Sequence, residues 1–309
     1  MTGDGAIWPV WVDTDYGFDD LWALLVLRRA GRDVAGISLV AGNAPLPRVI
    51  ANACGAARAY GFTAPLHAGA DRPLVRAPET AERILGPRGM LTRGRHLPEV
   101  ESADVPADAV AALAAWLTSE APGPRDVLAL GPLTNIALLL DTHPEAARRI
   151  TRLVWMGGSA GRGNHSALAE YNALADPEAL ARVAGAGLPF DVVDLTFCRL
   201  AQFGPADLPR CDPLTADLLG GYLDIGISRG RAGMAIYDPV AALALARPDA
   251  IEFERHRMEV STTPDETYGA TTFTADTRSR TRLAVGALED IALLCLAALK
   301  TKDPDVRSR

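Results

Sequence analysis

Val12-Asp13-Thr14-Asp15-Tyr16-Gly17-Phe18-Asp19-Asp20 places four carboxylates within eight residues. An apolar run, Trp8-Pro9-Val10-Trp11-Val12, leads into it. Leu21, Leu24 and Leu25 lead out at helical spacing, and Arg28 ends the stripe. That order predicts a strand, a tight turn and a helix, with the acids in the turn. Asp19 and Asp20 suit a helix N-terminus, where the peptide dipoles favour anions. Asp13 and Asp15 belong to the strand end, and helix capping does not account for them. Packed anions repel one another unless a cation neutralises them. A hard divalent cation with oxygen ligands explains the whole group better than a solvated acidic turn does.

The same alternation continues outward from this stretch. Val34–Ala41 reads as a second strand ending in Gly42-Asn43, Pro47–Tyr60 as a helix, and Pro65–Gly69 as a short third strand. Residues 70–105 are rich in Arg, Pro and Gly and read as a long loop, a length usually tied to function. Ala107–Ser119 is expected to be helical. Asp126–Leu130 reads as a strand running into Gly131-Pro132-Leu133-Thr134-Asn135 and another helix. Leu153–Met156 reads as a strand closed by Gly157-Gly158, and Ser159–Tyr171 as a second long loop. Asp176-Pro177 has the form of an N-cap followed by proline at the first helical position. Strands are expected at Phe190–Leu195, Ile251–Ser261 and Thr271–Thr274, and helices at Leu214–Ser228, Val240–Ala246 and Ala287–Leu299. Alternating strands and helices predict one Rossmann-like α/β domain over 1–309, with a mainly parallel sheet flanked by helices. Ligands of such sheets bind outside the carboxyl ends of the strands. Asp15, Asn43, Leu130-Gly131, Gly157-Gly158 and Asp194-Leu195-Thr196 all lie at strand ends.

Composition narrows the function classes. The 309 residues are 49% hydrophobic and 22% charged, enough for a sizeable core. A formal net charge of −7 argues against a nucleic-acid-coating surface. The lysines are Lys300 and Lys302, so none in the body of the chain is available for catalysis. Cys54, Cys198, Cys211 and Cys295 lack metal-type spacing and read as reduced thiols of a cytoplasmic protein. Met1-Thr2-Gly3-Asp4-Gly5 has no basic region followed by an apolar stretch, so no signal peptide is expected, and no run reaches membrane-spanning length.

Three further constellations carry polar chemistry, each with a plainer reading. Asn164, Glu170 and Asn172, in a loop that also holds His165 and Tyr171, offer donors and acceptors suited to sugar hydroxyls, or form an ordinary polar loop. Asp238, in Tyr237-Asp238-Pro239, is either a helix cap or a ligand. Gly131–Asn135 is a tight turn, and the strand-end carbonyl beside it is a candidate cation ligand. Of the five histidines, His96 and His165 lie in the long loops and are the acid/base candidates. His67 and His256 fall in strands and read as structural, and His143 reads as solvated.

Taken in order, these segments resemble the nucleoside hydrolase family, the inosine–uridine-preferring hydrolases and their relatives. Residues 13–20 match the family's Asp-x-Asp-x-Gly-x-Asp-Asp motif. Gly42-Asn43, Gly131–Asn135 with Ile136-Ala137, Met156-Gly157-Gly158, then Asn164, Glu170, Tyr171 and Asn172, and finally Asp238-Pro239 match later signatures. The resemblance runs from residue 12 to about 245.

The resemblance implies Ca2+ held by Asp15, Asp20, Asp238 and the carbonyl of Leu130, with Asp15 also the general base for a metal-bound water. It implies ribose held by Asp19, Asn43, Asn164, Glu170, Asn172 and Asp238, with Tyr171 in the same subsite and Asp13 as a support. The implied reaction is hydrolysis of the N-glycosidic bond of a ribonucleoside to ribose and free base, in a homodimer or homotetramer. Two positions depart from the family pattern: Tyr237 and Leu85 stand where many members carry His. Tyr237 is therefore expected to stack on the base or to protonate it. The competing readings are a haloacid-dehalogenase-like phosphatase, whose first strand also ends in Asp-x-Asp, and a ribonucleoside-binding protein without turnover.

Overall fold

The computed structural model describes residues 8–100 and 104–301. The amino-terminal stretch read for a leader lies outside them. Nine strands form one sheet: β1 (Val10–Thr14), β2 (Val34–Leu39), β3 (Leu66–Ala68), β4 (Asp126–Ala129), β5 (Arg152–Met156) and β6 (Phe190–Val193), then β9 (Ile251–Val260), β10 (Thr271–Ala275) and β11 (Thr281–Ala287). β7 (Gln202–Phe203) and β8 (Met234–Ala235) pair separately as a short antiparallel ribbon. The order across the sheet is β10-β9-β11-β6-β5-β4-β1-β2-β3. β1 to β6 are parallel, and β11 joins β6 in parallel. β9 and β10 close that edge as antiparallel strands.

This is the mainly parallel α/β architecture that the alternation predicts. The strand β11 is absent from the sequence reading. Its pattern, Thr281-Arg282-Leu283-Ala284-Val285-Gly286-Ala287, interrupts the apolar run with Arg282 and Gly286. The structure explains Arg282: its guanidinium holds Asp191 of the neighbouring β6 through two bonds of 2.6 Å.

Every residue of β1 is buried, as expected for a central parallel strand covered on both faces. The chain runs from β1 out to β2 and β3, then crosses back to β4 on the other side of β1. Strand order therefore reverses between β1 and β4, and a crevice opens beyond their carboxyl ends. Asp15 follows β1 and Leu130 follows β4, so the topology alone sets the first acid beside the predicted carbonyl.

Two hydrophobic clusters pack the sheet, centred on Trp22 on one face and Trp155 on the other. Trp22 is fully buried, and its indole N–H donates to the carbonyl of Cys295 at 2.8 Å. That bond ties the helix Phe18–Arg29 to the closing helix Ile291–Ala297. Removing a buried Trp side chain typically costs about 3–5 kcal/mol, so the helix bearing Asp19 and Asp20 is firmly anchored.

Candidate active site

The acidic turn folds as its residue types require. Tyr16 adopts φ 47°, an uncommon left-handed conformation for a non-glycine residue. It is held there by its own amide bonding Thr14 Oγ1 at 3.1 Å. The Thr14 hydroxyl in turn donates to Asp20 Oδ1, and Asp20 Oδ2 accepts from the amide of Gly17 at 2.7 Å. Asp20 thus serves as the third residue of the helix and reaches back to its cap, as the helix-terminus reading expected. Asp15 accepts two bonds from Asn43, from the backbone amide at 2.7 Å and from the side-chain amide at 2.9 Å. Gly42 leaves the necessary space, since a Cβ there would lie 2.1 Å from Asp15 Oδ2.

Asp13 points to the side of the cluster. Ser38 and Asn135 both donate to its Oδ1, Asn135 at 2.8 Å, while Oδ2 is buried without a partner. Burial raises its pKa to about 6. Asn135 also accepts from the amide of Ala70 at 2.9 Å. Asp13 therefore ties β1, β2 and, through Asn135, the start of the 70–105 loop together.

Asp238 is not a helix cap. Tyr237 occupies the cap position of the helix Asp238–Ala246, and no side chain caps it. The Asp238 carboxylate instead meets Asp19 and Asp20, with one oxygen of each lying within 4.8 Å of the others. The helices Phe18–Arg29 and Asp238–Ala246 pack side by side with their N-termini at this point. Residues 218 positions apart in sequence thus share one anionic centre. Burial pushes Asp15, Asp20 and Asp238 up from the ordinary carboxylate range, Asp15 and Asp238 well above it, and Asp19 to about 7. Mutual repulsion adds to burial for Asp15, Asp19 and Asp238. Among the described residues no Arg or Lys forms an ion pair with any of the four. Buried carboxylates with no protein cation, beside the strand-end carbonyl of Leu130, form a donor set of hard oxygens. That set fits a divalent cation of the Ca2+ type.

The other predicted residues surround the same cavity, of about 750 Å3 including its open mouth. Asp15, Asp19, Asn43, Leu130, Asn164, Glu170, Tyr171, Asn172, Tyr237 and Asp238 all line it. Glu170 caps the helix Tyr171–Ala175, accepting from the amides of Asn172 and Ala173 at 3.0 and 3.1 Å, and also from Gly158 at 2.9 Å. Burial raises it to about 7 against those three bonds. The Asn172 side-chain N–H2 donates to the carbonyls of Leu130 at 2.8 Å and Met156 at 3.0 Å. The Asn164 side-chain oxygen accepts from the amide of Tyr171 at 2.9 Å. Tyr171 gives its hydroxyl to the carbonyls of Gly42 and Glu79, bracing one long loop against the other.

The two histidine candidates separate. His165 lines the cavity, with Nε2 2.7 Å from Glu79 Oε1. His96 lies elsewhere, beside Thr92 in a small surface hollow with Arg48, Asn52 and Glu99, so it does not reach the acidic centre. His67 stacks on Trp11 and pairs with Asp108, a structural role as expected.

Tyr222, Ile225, Arg229 and Met234, along with Ala81 and Ile84, also line the cavity and were not singled out as pocket residues by the sequence reading. The first three share one face of the helix Pro213–Ser228 and its C-cap, at spacings of three and four residues. That periodicity was visible, but an apolar helix face reads equally well as core. Leu85 does stand at the pocket, where the family comparison placed it.

Comparison with known proteins agrees with this geometry. The model of the family described as inosine-uridine preferring nucleoside hydrolase matches residues 10–297. The non-specific ribonucleoside hydrolase RihC of Escherichia coli is 35% identical over 272 residues, spanning 87% of this chain and 88% of that protein. The protein of the same name from Escherichia fergusonii is 34% identical over 275 residues, with the same coverage. Among solved structures, a plant nucleoside hydrolase, PpNRh1, superposes with a TM-score of 0.85 at 22% identity, covering 95% of this chain and 99% of that one. A purine-preferring ribonucleoside hydrolase from Gardnerella vaginalis superposes with a TM-score of 0.82 at 21% identity, covering 94% and 99%.

Proposed function

The chain belongs to the inosine-uridine preferring nucleoside hydrolase family, and from that premise we propose how its pocket cleaves a ribonucleoside. It is a ribonucleoside hydrolase, which removes the phosphatase reading. The observation that carries the finer proposal is the meeting of Asp19, Asp20 and Asp238 beside Asp15, with no protein cation to neutralise them.

Asp15, Asp20, Asp238 and the Leu130 carbonyl would hold Ca2+. The bound ion supplies Lewis-acid polarisation of a water and of the sugar hydroxyls. Asp15 is the general base: the two bonds from Asn43 fix its carboxylate, which accepts the water's proton as oxygen approaches C1′. The sugar passes through a cationic, oxocarbenium-like transition state, and the surrounding carboxylates stabilise that charge without having to reorganise.

The amide orientations divide the sugar contacts. Asn43 and Asn172 commit their N–H2 groups to protein acceptors, so each presents its oxygen to a hydroxyl. Asn164 commits its oxygen and presents its N–H2. Asp19 and Asp238 accept from the ring hydroxyls, and Glu170 from the 5′ side, where Tyr171 braces the wall.

Tyr237 stacks on the base. Burial raises its pKa above that of an ordinary phenol, which weakens it further as a proton donor at neutral pH. Tyr237→Phe is expected to keep activity on both natural nucleosides and p-nitrophenyl riboside, whereas Tyr237→Ala should weaken binding of the base by about 1–3 kcal/mol. A loss of roughly 10²-fold in Tyr237→Phe, confined to natural nucleosides, would instead assign it as the proton donor.

The test of the whole reading is a panel of common nucleosides plus p-nitrophenyl riboside, assayed for reducing sugar before and after EGTA treatment. Base release that is lost with EGTA and restored by Ca2+ is the expected result. Nucleoside binding with no product over long incubation would select the binding-protein reading, and full activity after the ion is shown to be stripped would remove the metal. The cytoplasmic location and homodimer or homotetramer expected for the chain stay part of this proposal. Among the described residues, no helix is long and apolar enough to cross a membrane.

A further inference from the structure

The cavity has two chemical halves. Its lining includes the acids Asp15, Asp19, Glu170 and Asp238, and the apolar or aromatic Ile84, Leu85, Ile225, Met234 and Tyr237. Arg229 is the one Arg or Lys among its described lining residues. It follows the helix Pro213–Ser228 as its C-cap, two turns beyond Tyr222. Tyr222 reaches the acids, since its hydroxyl lies 3.4 Å from Asp19 Oδ2. Seven residues of helix rise by about 10 Å, so the face carrying Tyr222, Ile225 and Arg229 leads from the acids towards the mouth. A ribose set over the acids directs its base along that face.

Arg229 is exposed and lines the cavity. Among the described residues no carboxylate oxygen lies within salt-bridge distance of it. The acids of its own helix are taken: Asp224 receives two bonds from Arg93, at 2.8 and 2.6 Å, and Asp217 accepts from the amides of Arg93 and Arg95, both at 2.8 Å. Two further arginines act on Tyr237: Arg231, and Arg199, which donates to the carbonyls of Arg162 and Gly163. His165, the cavity's other cationic candidate, is paired with Glu79.

Resting on the hydrolase reading above, we propose that Arg229 is a catalytic residue that stabilises the negative charge of the departing base. When the C1′–N bond breaks, its electron pair goes to the base. Water oxygen bonds to C1′, and the water's proton goes to Asp15. The base leaves as an anion with charge spread onto its ring nitrogens and carbonyl oxygens, where a guanidinium donates in a planar fork. A solvent proton then neutralises the base, and Asp15 returns its proton to solvent, so the balance is nucleoside plus water to ribose plus base. A cation thereby takes the place of the protonating His that Tyr237 and Leu85 displace.

The experiment compares two leaving groups. Arg229→Ala should lower kcat/KM on inosine by roughly 10- to 10²-fold, below the full value for a buried electrostatic donor because the rim is solvated. p-Nitrophenyl riboside, whose leaving group departs unaided, should change little. Arg229→Lys, which keeps the charge but not the planar fork, should recover only part of the inosine rate lost in Arg229→Ala, and added guanidinium should also restore part of that loss. Equal losses on both substrates, or unchanged rates on both, overturn the proposal. A second arm needs no turnover: calorimetric titration with urate, an anionic base at neutral pH. Binding about tenfold weaker in Arg229→Ala supports the assignment, and equal affinities overturn it. If the wild-type chain releases base from no nucleoside, the hydrolase mechanism and this catalytic role fall together, while the urate arm still reports whether Arg229 recognises an anionic base.

Discussion

Asp15→Asn should lower kcat by more than the roughly 10²–10⁴-fold that a general base alone supplies. The carboxamide is nearly isosteric, so the turn should survive. Asn43 presents an N–H and an N–H2 to this residue, and an amide can accept at only one of its two heavy atoms. One donor is therefore left facing another, and the side chain is expected to rotate away from C1′. The substitution also removes a negative charge from the proposed Ca2+ site, so base and ligand are lost together. KM should rise less than kcat falls, because the sugar contacts of Asn164, Glu170 and Asn172 persist. A near-normal kcat in a correctly folded Asp15→Asn, checked by its thermal transition, would remove Asp15 from the chemistry.

Asp238→Asn should separate activity from stability. Asp238 is buried against Asp19, Asp20 and Asp15, and each of them repels it. In the ion-free protein, neutralising it relieves that repulsion, so the variant's Tm should exceed that of ion-free wild type. Each kcal/mol gained corresponds to about 2–4 °C for a chain of a few hundred residues. With Ca2+ the order should reverse. A ligand at a hundred times its Kd stabilises by about 2.7 kcal/mol, and a variant that binds weakly forgoes this. Activity should fall by about 10³-fold or more, equivalent to the several kcal/mol a Lewis acid contributes. Differential scanning calorimetry with EGTA and with Ca2+ measures both effects. An identical Ca2+-induced shift in variant and wild type would show that Asp238 is no ligand.

Much of this site was legible because its residues follow strand ends in a fixed order. Residues 12–20 determined a strand, an acidic turn and a helix. The apolar character of β1, β2, β4, β5 and β6 determined a buried parallel sheet, since strands covered on both faces need continuous apolar sequence. The cavity could be located in outline because a reversal of strand order leaves a crevice beyond the carboxyl ends. Local chemistry also gave Asp176 its cap: its side chain accepts from Ala179, just before the proline at the first helical position.

Tertiary structure decided what local sequence leaves degenerate. Tyr237-Asp238-Pro239 reads as a capped helix start, yet the Asp238 side chain makes no capping bond and turns instead to Asp19 and Asp20. The packing of two helices sets that choice, and no local pattern encodes it. His96 and His165 are equivalent as loop histidines, but only the fold brings His165 to the cavity. Tyr222, Ile225 and Arg229 belong to a helix whose apolar face is periodic in either setting. Whether such a face meets a core or a substrate depends on what stands opposite it, and here the 70–105 loop and β8 leave the space open.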